Sequence, residues 1–254
     1  GGRMKYAVVT GTSKGLGESI AKLLMQASFH VIGIARNENK QLENADYPGA
    51  YTHFAGDLSN IEQTTEVFNQ IIKNLKQQKN IESLHLVQNA ALIHPIEQAG
   101  KQEPTLIEKH MRVNLVTPMM ITNQWLDAWR DSSFPLVMVN GTSGAADRNV
   151  YGWTASGASK AGLNRYTRTV ALEQEELQTG NKVFLFDPSI MDTDMQGEIR
   201  SSEPSQFIEV DQFKNYKTNN KLRSTDVVAK VLVDRLLDEE TIKNGEYYSV
   251  KDSF

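Results

Sequence analysis

The chain has 254 residues, with 27 Lys and Arg against 31 Asp and Glu, for a formal net charge of −4. That balance argues against nucleic acid as a partner, and the length suits one large α/β domain, expected over 4–254. Hydrophobic residues at 39% are enough for a core, while the lack of cysteine excludes disulfides and thiolate metal sites.

No apolar run approaches the roughly 18 residues of a membrane span, and no basic-then-apolar leader opens the chain. A cytoplasmic protein away from membranes is therefore expected. Gly1-Gly2-Arg3 stands before a Met4 that suits an initiator, and reads as an expression scar.

Short apolar runs alternate with amphipathic stretches, the pattern of a doubly wound parallel sheet with helices on both faces. The first run, Tyr6 to Thr10, ends in a glycine-bearing turn. A helix with Leu16, Ile20, Leu23 and Leu24 on one face leads to a second run, Val31 to Ala35, completing a β-α-β unit. A third strand is predicted at Tyr51 to Ala55. Ser59-Asn60-Ile61-Glu62 has capping-box spacing and opens a helix whose Ile61, Phe68, Ile72 and Leu75 share a face. Leu84 to Val87 reads as strand four, and a helical region from about Leu106 to Arg130 carries Trp125 and Trp129 as packing residues. Strand five follows at Leu136 to Val139, then a long helix from near Ser156 to Leu177 and strand six at Val183 to Phe186. From Ser189 to about Arg223 the chain is polar and weakly periodic, which predicts a lid with short helices over the sheet's carboxyl edge. A helix bearing Val228, Val231, Leu232 and Leu236 and a last strand near Glu246 to Val250 close the chain.

The turn Gly11-Thr12-Ser13-Lys14-Gly15-Leu16-Gly17 lies between the first strand and the first helix, where glycines let a phosphate approach the backbone at a helix N-terminus. Its G-x-x-x-G-x-G spacing is neither G-x-G-x-x-G nor a Walker loop, so alone it says only nucleotide site or structural turn. Four features strengthen the first reading. Gln88-Asn89-Ala90-Ala91 follows strand four, Asn114 lies mid-helix, Ser143 follows strand five, and Ser156-Gly157-Ala158-Ser159-Lys160 opens the next helix.

With these motifs the chain resembles the short-chain dehydrogenase/reductase family over about Met4 to Val250. The family's glycine motif matches Gly11, Gly15 and Gly17, its Asn-Ala motif matches Asn89 to Ala91, and its Pro-Gly motif is recognisable at Pro188-Ser189. The resemblance implies a Rossmann-type sheet of about seven strands, a nicotinamide dinucleotide, hydride transfer to or from a small carbonyl or alcohol, and a homodimer or homotetramer joined through the helices around Leu106 to Arg130 and Ser156 to Leu177. It also implies a catalytic tetrad of Asn, Ser, Tyr and Lys. Asn114, Ser143 and Lys160 match three of its positions; the tyrosine position holds Ser156.

A phenol of pKa about 10 beside an ammonium is a usable proton donor, whereas an aliphatic hydroxyl is a far weaker acid and is several bonds shorter. Four readings of Ser156 stand open. It is a helix N-cap without chemistry, in a protein that binds cofactor and reduces nothing; it holds a relay water with Ser143 and Lys160; the phenol comes instead from Tyr151 on the preceding loop; or the serine is an introduced replacement of a natural tyrosine.

By the same resemblance Lys160 holds the nicotinamide ribose, Ser143 donates to the substrate oxygen or is a turn serine, and Asn114 holds a water or kinks its helix. The second strand ends in Ala35-Arg36 rather than in an acid, and Lys14 precedes the second glycine; two cations favour the 2′-phosphate of NADP(H). Asp57-Leu58 matches the family's adenine-edge pair and Thr193 its carboxamide contact, while Ser189 replaces the usual glycine after Pro188. The segment Tyr151-Gly152-Trp153-Thr154-Ala155 resembles the sepiapterin- and benzil-reductase branch, whose substrates are vicinal dicarbonyls. The five histidines show no metal-ligand spacing, and no G-x-S-x-G elbow is present, so neither a metal centre nor a serine hydrolase is expected.

Overall fold

The structure, a computed structural model, describes residues 2–191, 194–218 and 222–254. Seven strands form one parallel sheet in the order β3-β2-β1-β4-β5-β6-β7. They are β1 (Met4–Thr10), β2 (Phe29–Ala35), β3 (Ala50–Ala55), β4 (Ile81–Gln88), β5 (Leu136–Gly141), β6 (Lys182–Asp187) and β7 (Tyr247–Ser249). The first six predicted runs lie in strands, most of them longer at one or both ends, where polar residues such as Lys5, Ser83 and Asn140 continue the ladder, while the last strand is shorter than the predicted Glu246 to Val250 because Val250 opens a 3-10 turn. The Rossmann-type α/β fold expected from the sequence is the fold observed.

Alternation along the strands sends successive side chains to opposite faces, so each face buries its own cluster. Ala7, Val9, Val31, Val139 and Phe186 pack under α1 (Gly15–Gln26) and, further along the chain, α9 (Thr225–Leu237), through Ile20, Leu24, Val228 and Leu232. Val8, Ile32, Leu84, Leu86 and Met138 point the other way, onto α3 (Ile61–Lys76), α5 (Thr117–Ala128) and α6 (Thr154–Glu176). Trp125 is fully buried there, edge-on to Phe68 and to Trp129, as the packing reading required.

Two local expectations are corrected. The N-cap of α3 is Asn60, whose side chain accepts from the Gln63 amide at 3.0 Å, so the capping register lies one residue beyond Ser59. Ser59 instead serves Asp57 through its amide and hydroxyl. The region predicted as one helix is three pieces: α4 (Pro104–Met111), a π-helical turn over Arg112–Val116, and α5. A four-residue helix, α2 (Lys40–Glu43), was not expected.

In the stretch from Ser189 to Arg223, read from the sequence as a lid with short helices, lie α7 (Asp194–Arg200) and α8 (Val210–Thr218). Ile199 of α7, Val210 and Phe213 of α8, and Phe207 between the two helices form a third apolar cluster with Ile93 and Ile96. Because β1 stands between β2 and β4, the chain leaves its carboxyl edge in opposite directions there, opening a crevice above the sheet.

Candidate active site

That crevice is a cavity of about 980 Å³ running from the β1–α1 turn to the lid. Gly11 and Gly15 adopt φ of +78° and +64°, a left-handed backbone suited to glycine. A Cβ on Gly17 would stand 2.0 Å from the Gly11 carbonyl oxygen, so only glycine lets α1 start this close to β1. Lys14 is the α1 N-cap in extended conformation and provides no side-chain cap, which leaves the first amides of α1 facing the cavity for an anion. Gly11, Ser13, Lys14, Gly15, Leu16, Arg36, Asp57, Leu58, Asn89 and Ala90 all line this end. A dinucleotide with its phosphates on the glycine turn fits these residues.

The turn is braced by a residue that sequence reading missed. Asn39 caps α2 and donates to the carbonyls of Thr12 (3.0 Å) and Ser13 (3.3 Å). Thr10 accepts the amides of Asn89 and Ala90 at 3.0 and 3.1 Å, fixing the end of β4 beside it. The Ser59 hydroxyl holds the Asp57 carboxyl below the usual aspartate range.

Ser143, Ser156 and Lys160 line the other end of the cavity with Trp153, Pro188 and Ser189. Lys160 donates to the Gly141 carbonyl at 3.0 Å. Among the described residues no carboxylate lies within ion-pair distance of it, and burial pushes its amine down to about 8. Ser143 caps the short turn Gly144–Ala146 by accepting from the Ala145 amide at 3.3 Å, as the turn-serine reading expected, and still lines the cavity. Ser156 is buried, and among the described residues its hydroxyl is hydrogen-bonded to none.

Two readings of Ser156 do not match this geometry. The α6 N-cap is Trp153, so Ser156 is the third residue of the helix and caps nothing. Tyr151 is 42% exposed, donates to Gln98 Oε1 at 2.6 Å and lies outside the cavity lining, so its phenol is held away from Lys160. Thr193 lies outside the described residues.

Asn114 sits in the π-helical turn, and its side chain is committed: Oδ1 accepts from the Leu92 amide and Nδ2 donates to the Leu92 carbonyl, both at 2.7 Å. Nδ2 also approaches His110 Nε2 at 3.1 Å. His110 is fully buried, and its second nitrogen meets the His94 carbonyl at 3.0 Å. Burial lowers its pKa, so the neutral ring donates from Nδ1 and accepts at Nε2 from Asn114, while Ser159, the neighbour of Lys160, donates to the Ser156 carbonyl at 3.2 Å with its Oγ 2.9 Å from the same Nε2. No local signal singles out this histidine; it acquires its role by packing against α6.

A glycine turn at the β1–α1 crevice and a buried lysine beyond it make an arrangement that fits a dinucleotide. Residues 5–204 match the short chain dehydrogenase family, and the chain belongs to that family. It is 34% identical over 245 residues to a benzil reductase, (S)-benzoin forming, of Bacillus cereus, covering 96% of this chain and 98% of that one. A benzil reductase of the same description from Bacillus subtilis is 30% identical over 249 residues, covering 98% and 99%. A crystal structure of a short chain dehydrogenase/reductase from Saccharomyces cerevisiae superposes with a TM-score of 0.81 at 28% identity, covering 96% and 95%.

Proposed function

We propose that this chain is a cytoplasmic NADP(H)-dependent reductase of vicinal dicarbonyls in which a water held by Ser143, Ser156 and Lys160 delivers the proton that the family's phenol would give. One observation carries the reading. Ser143, Ser156 and Lys160 line the same cavity, and among the described residues the Lys160 amine is hydrogen-bonded only to the Gly141 carbonyl. The benzil reductase relatives support the substrate class.

In this reading Gly11, Ser13, Gly15, Leu16 and Gly17 take the phosphates, Lys14 and Arg36 the 2′-phosphate, and Asp57 and Leu58 the adenine. Asn89, Ala90 and Pro188 border the rest of the dinucleotide, which supplies a hydride when bound. Ser143 donates to the carbonyl oxygen, the water protonates it as charge develops, and Lys160 restores the water's proton and holds the ribose. Asn114 keeps the Leu92 backbone and His110 in place beside it. Exposed Leu106, Ile107, Met119 and Leu172 on α4, α5 and α6 suit the homodimer or homotetramer contact.

The test is NADPH consumption with benzil and with simple ketones, by this chain and by its Ser156→Tyr variant. Slow turnover by the parent and turnover at least tenfold faster by the variant are expected. Ser156 also favours a second reading, an NADP(H)-binding protein without turnover. That reading gains if both proteins bind NADPH and neither consumes it.

A further inference from the structure

Ser189 has φ of +57°, in the left-handed region where a Cβ crowds the following carbonyl and where the family pattern has glycine. A non-glycine residue persists there only when its surroundings hold it. Two contacts do so. Asp187 Oδ1 accepts from the Ser189 amide at 2.8 Å, and Asp187 Oδ2 accepts from the Tyr247 hydroxyl at 2.6 Å.

Asp187 ends β6 and is buried, and among the described residues no lysine or arginine lies within ion-pair distance of it. An ionised carboxyl so placed depends on its hydrogen-bond donors. Tyr247 begins β7, and burial, then the adjoining carboxylate, holds its phenol well above its usual pKa, so it remains the donor. The turn matters to its neighbours. Pro188, Ser189 and Ile190 line the cavity, and the Ile190 carbonyl accepts from the Arg223 amide at 3.4 Å, where the lid rejoins the fold.

We propose that Asp187 and Tyr247 are a positioning pair that holds Ser189 in the left-handed turn a glycine would otherwise supply, and so set the cavity wall formed by Pro188, Ser189 and Ile190. That this wall faces a dinucleotide rests on the function proposed above. The conformational part does not.

Tyr247→Phe, Ser189→Gly and the double variant are compared first without cofactor, by hydrogen exchange at the Ser189 amide and by denaturant unfolding. Tyr247→Phe is expected to speed that exchange about tenfold or more. In a double-mutant cycle Ser189→Gly is expected to offset much of its loss of stability, because glycine takes the turn without the brace. NADPH affinity is then read by fluorescence titration. Tyr247→Phe is expected to weaken it about fivefold or more, and the double variant to return within about twofold of Ser189→Gly alone. Asp187→Asn, which keeps the acceptor for Ser189, is expected to lose less affinity than Asp187→Ala.

A phenol that merely stabilised the edge strand would lower stability additively and would not be rescued at Ser189. Additive stabilities or unchanged exchange at Ser189 overturn the proposal. A parent that fails to bind NADPH overturns the functional reading instead, while exchange and the stability cycle still decide the pair.

Discussion

Lys160 brings a charge into a desolvated corner with, among the described residues, no acid beside it. Its folded pKa of about 8 lies below the usual lysine value of 10.5, so between these values the unfolded chain holds the extra proton. Folding is then penalised at neutral pH, and the penalty fades as pH rises through that window. Lys160→Met is expected to gain on the order of 1–3 kcal/mol at pH 7 and little above pH 10.5, as read by urea unfolding at both pH values. Turnover should fall in the opposite sense, declining as pH rises through about 8 and the ammonium is lost. Ser156→Tyr supplies an acid of the right reach, and general-acid catalysis of this kind is worth about 10² to 10⁴ in rate. The glycines are legible because they fall between a predicted strand and a predicted helix, and Ser143 and Lys160 are legible through the motif spacing of the family the chain resembles. Asn39, His110 and Tyr247 are not, because their partners lie 27, 49 and 60 residues away.

At the scale of the element, the π-helical turn shows what periodicity misses. A one-residue widening between α4 and α5 leaves the apolar spacing nearly intact, so the region from Leu106 to Arg130 reads as one helix. Pro118, in the first turn of α5, is the available sign of a new start. The strands are easier to read, because buried parallel strands are nearly continuous apolar runs. On α5, Trp125 fills the space between Phe68 and Trp129. Trp125→Ala is expected to cost about 3–5 kcal/mol and to lower the urea midpoint without changing the cavity's residues.

Over the whole molecule, the order of the sheet places the cavity; the parallel sheet itself follows from the alternation of strands and helices visible in the sequence, whereas the strand order does not. The third apolar cluster does not follow, since Ile93, Ile199 and Phe207 come from separate, mostly polar segments. The pairing beside the crevice has a consequence for how the chain folds. Met4 pairs with Ile81 and Thr10 with Gln88, so the two strands that flank the binding crevice meet only after a long loop closes. A crevice completed late is absent from much of the folding transition state. A bound dinucleotide is therefore expected to slow unfolding in stopped-flow measurements while leaving the refolding rate nearly unchanged, so that ligand lengthens the life of the native chain without hastening its birth.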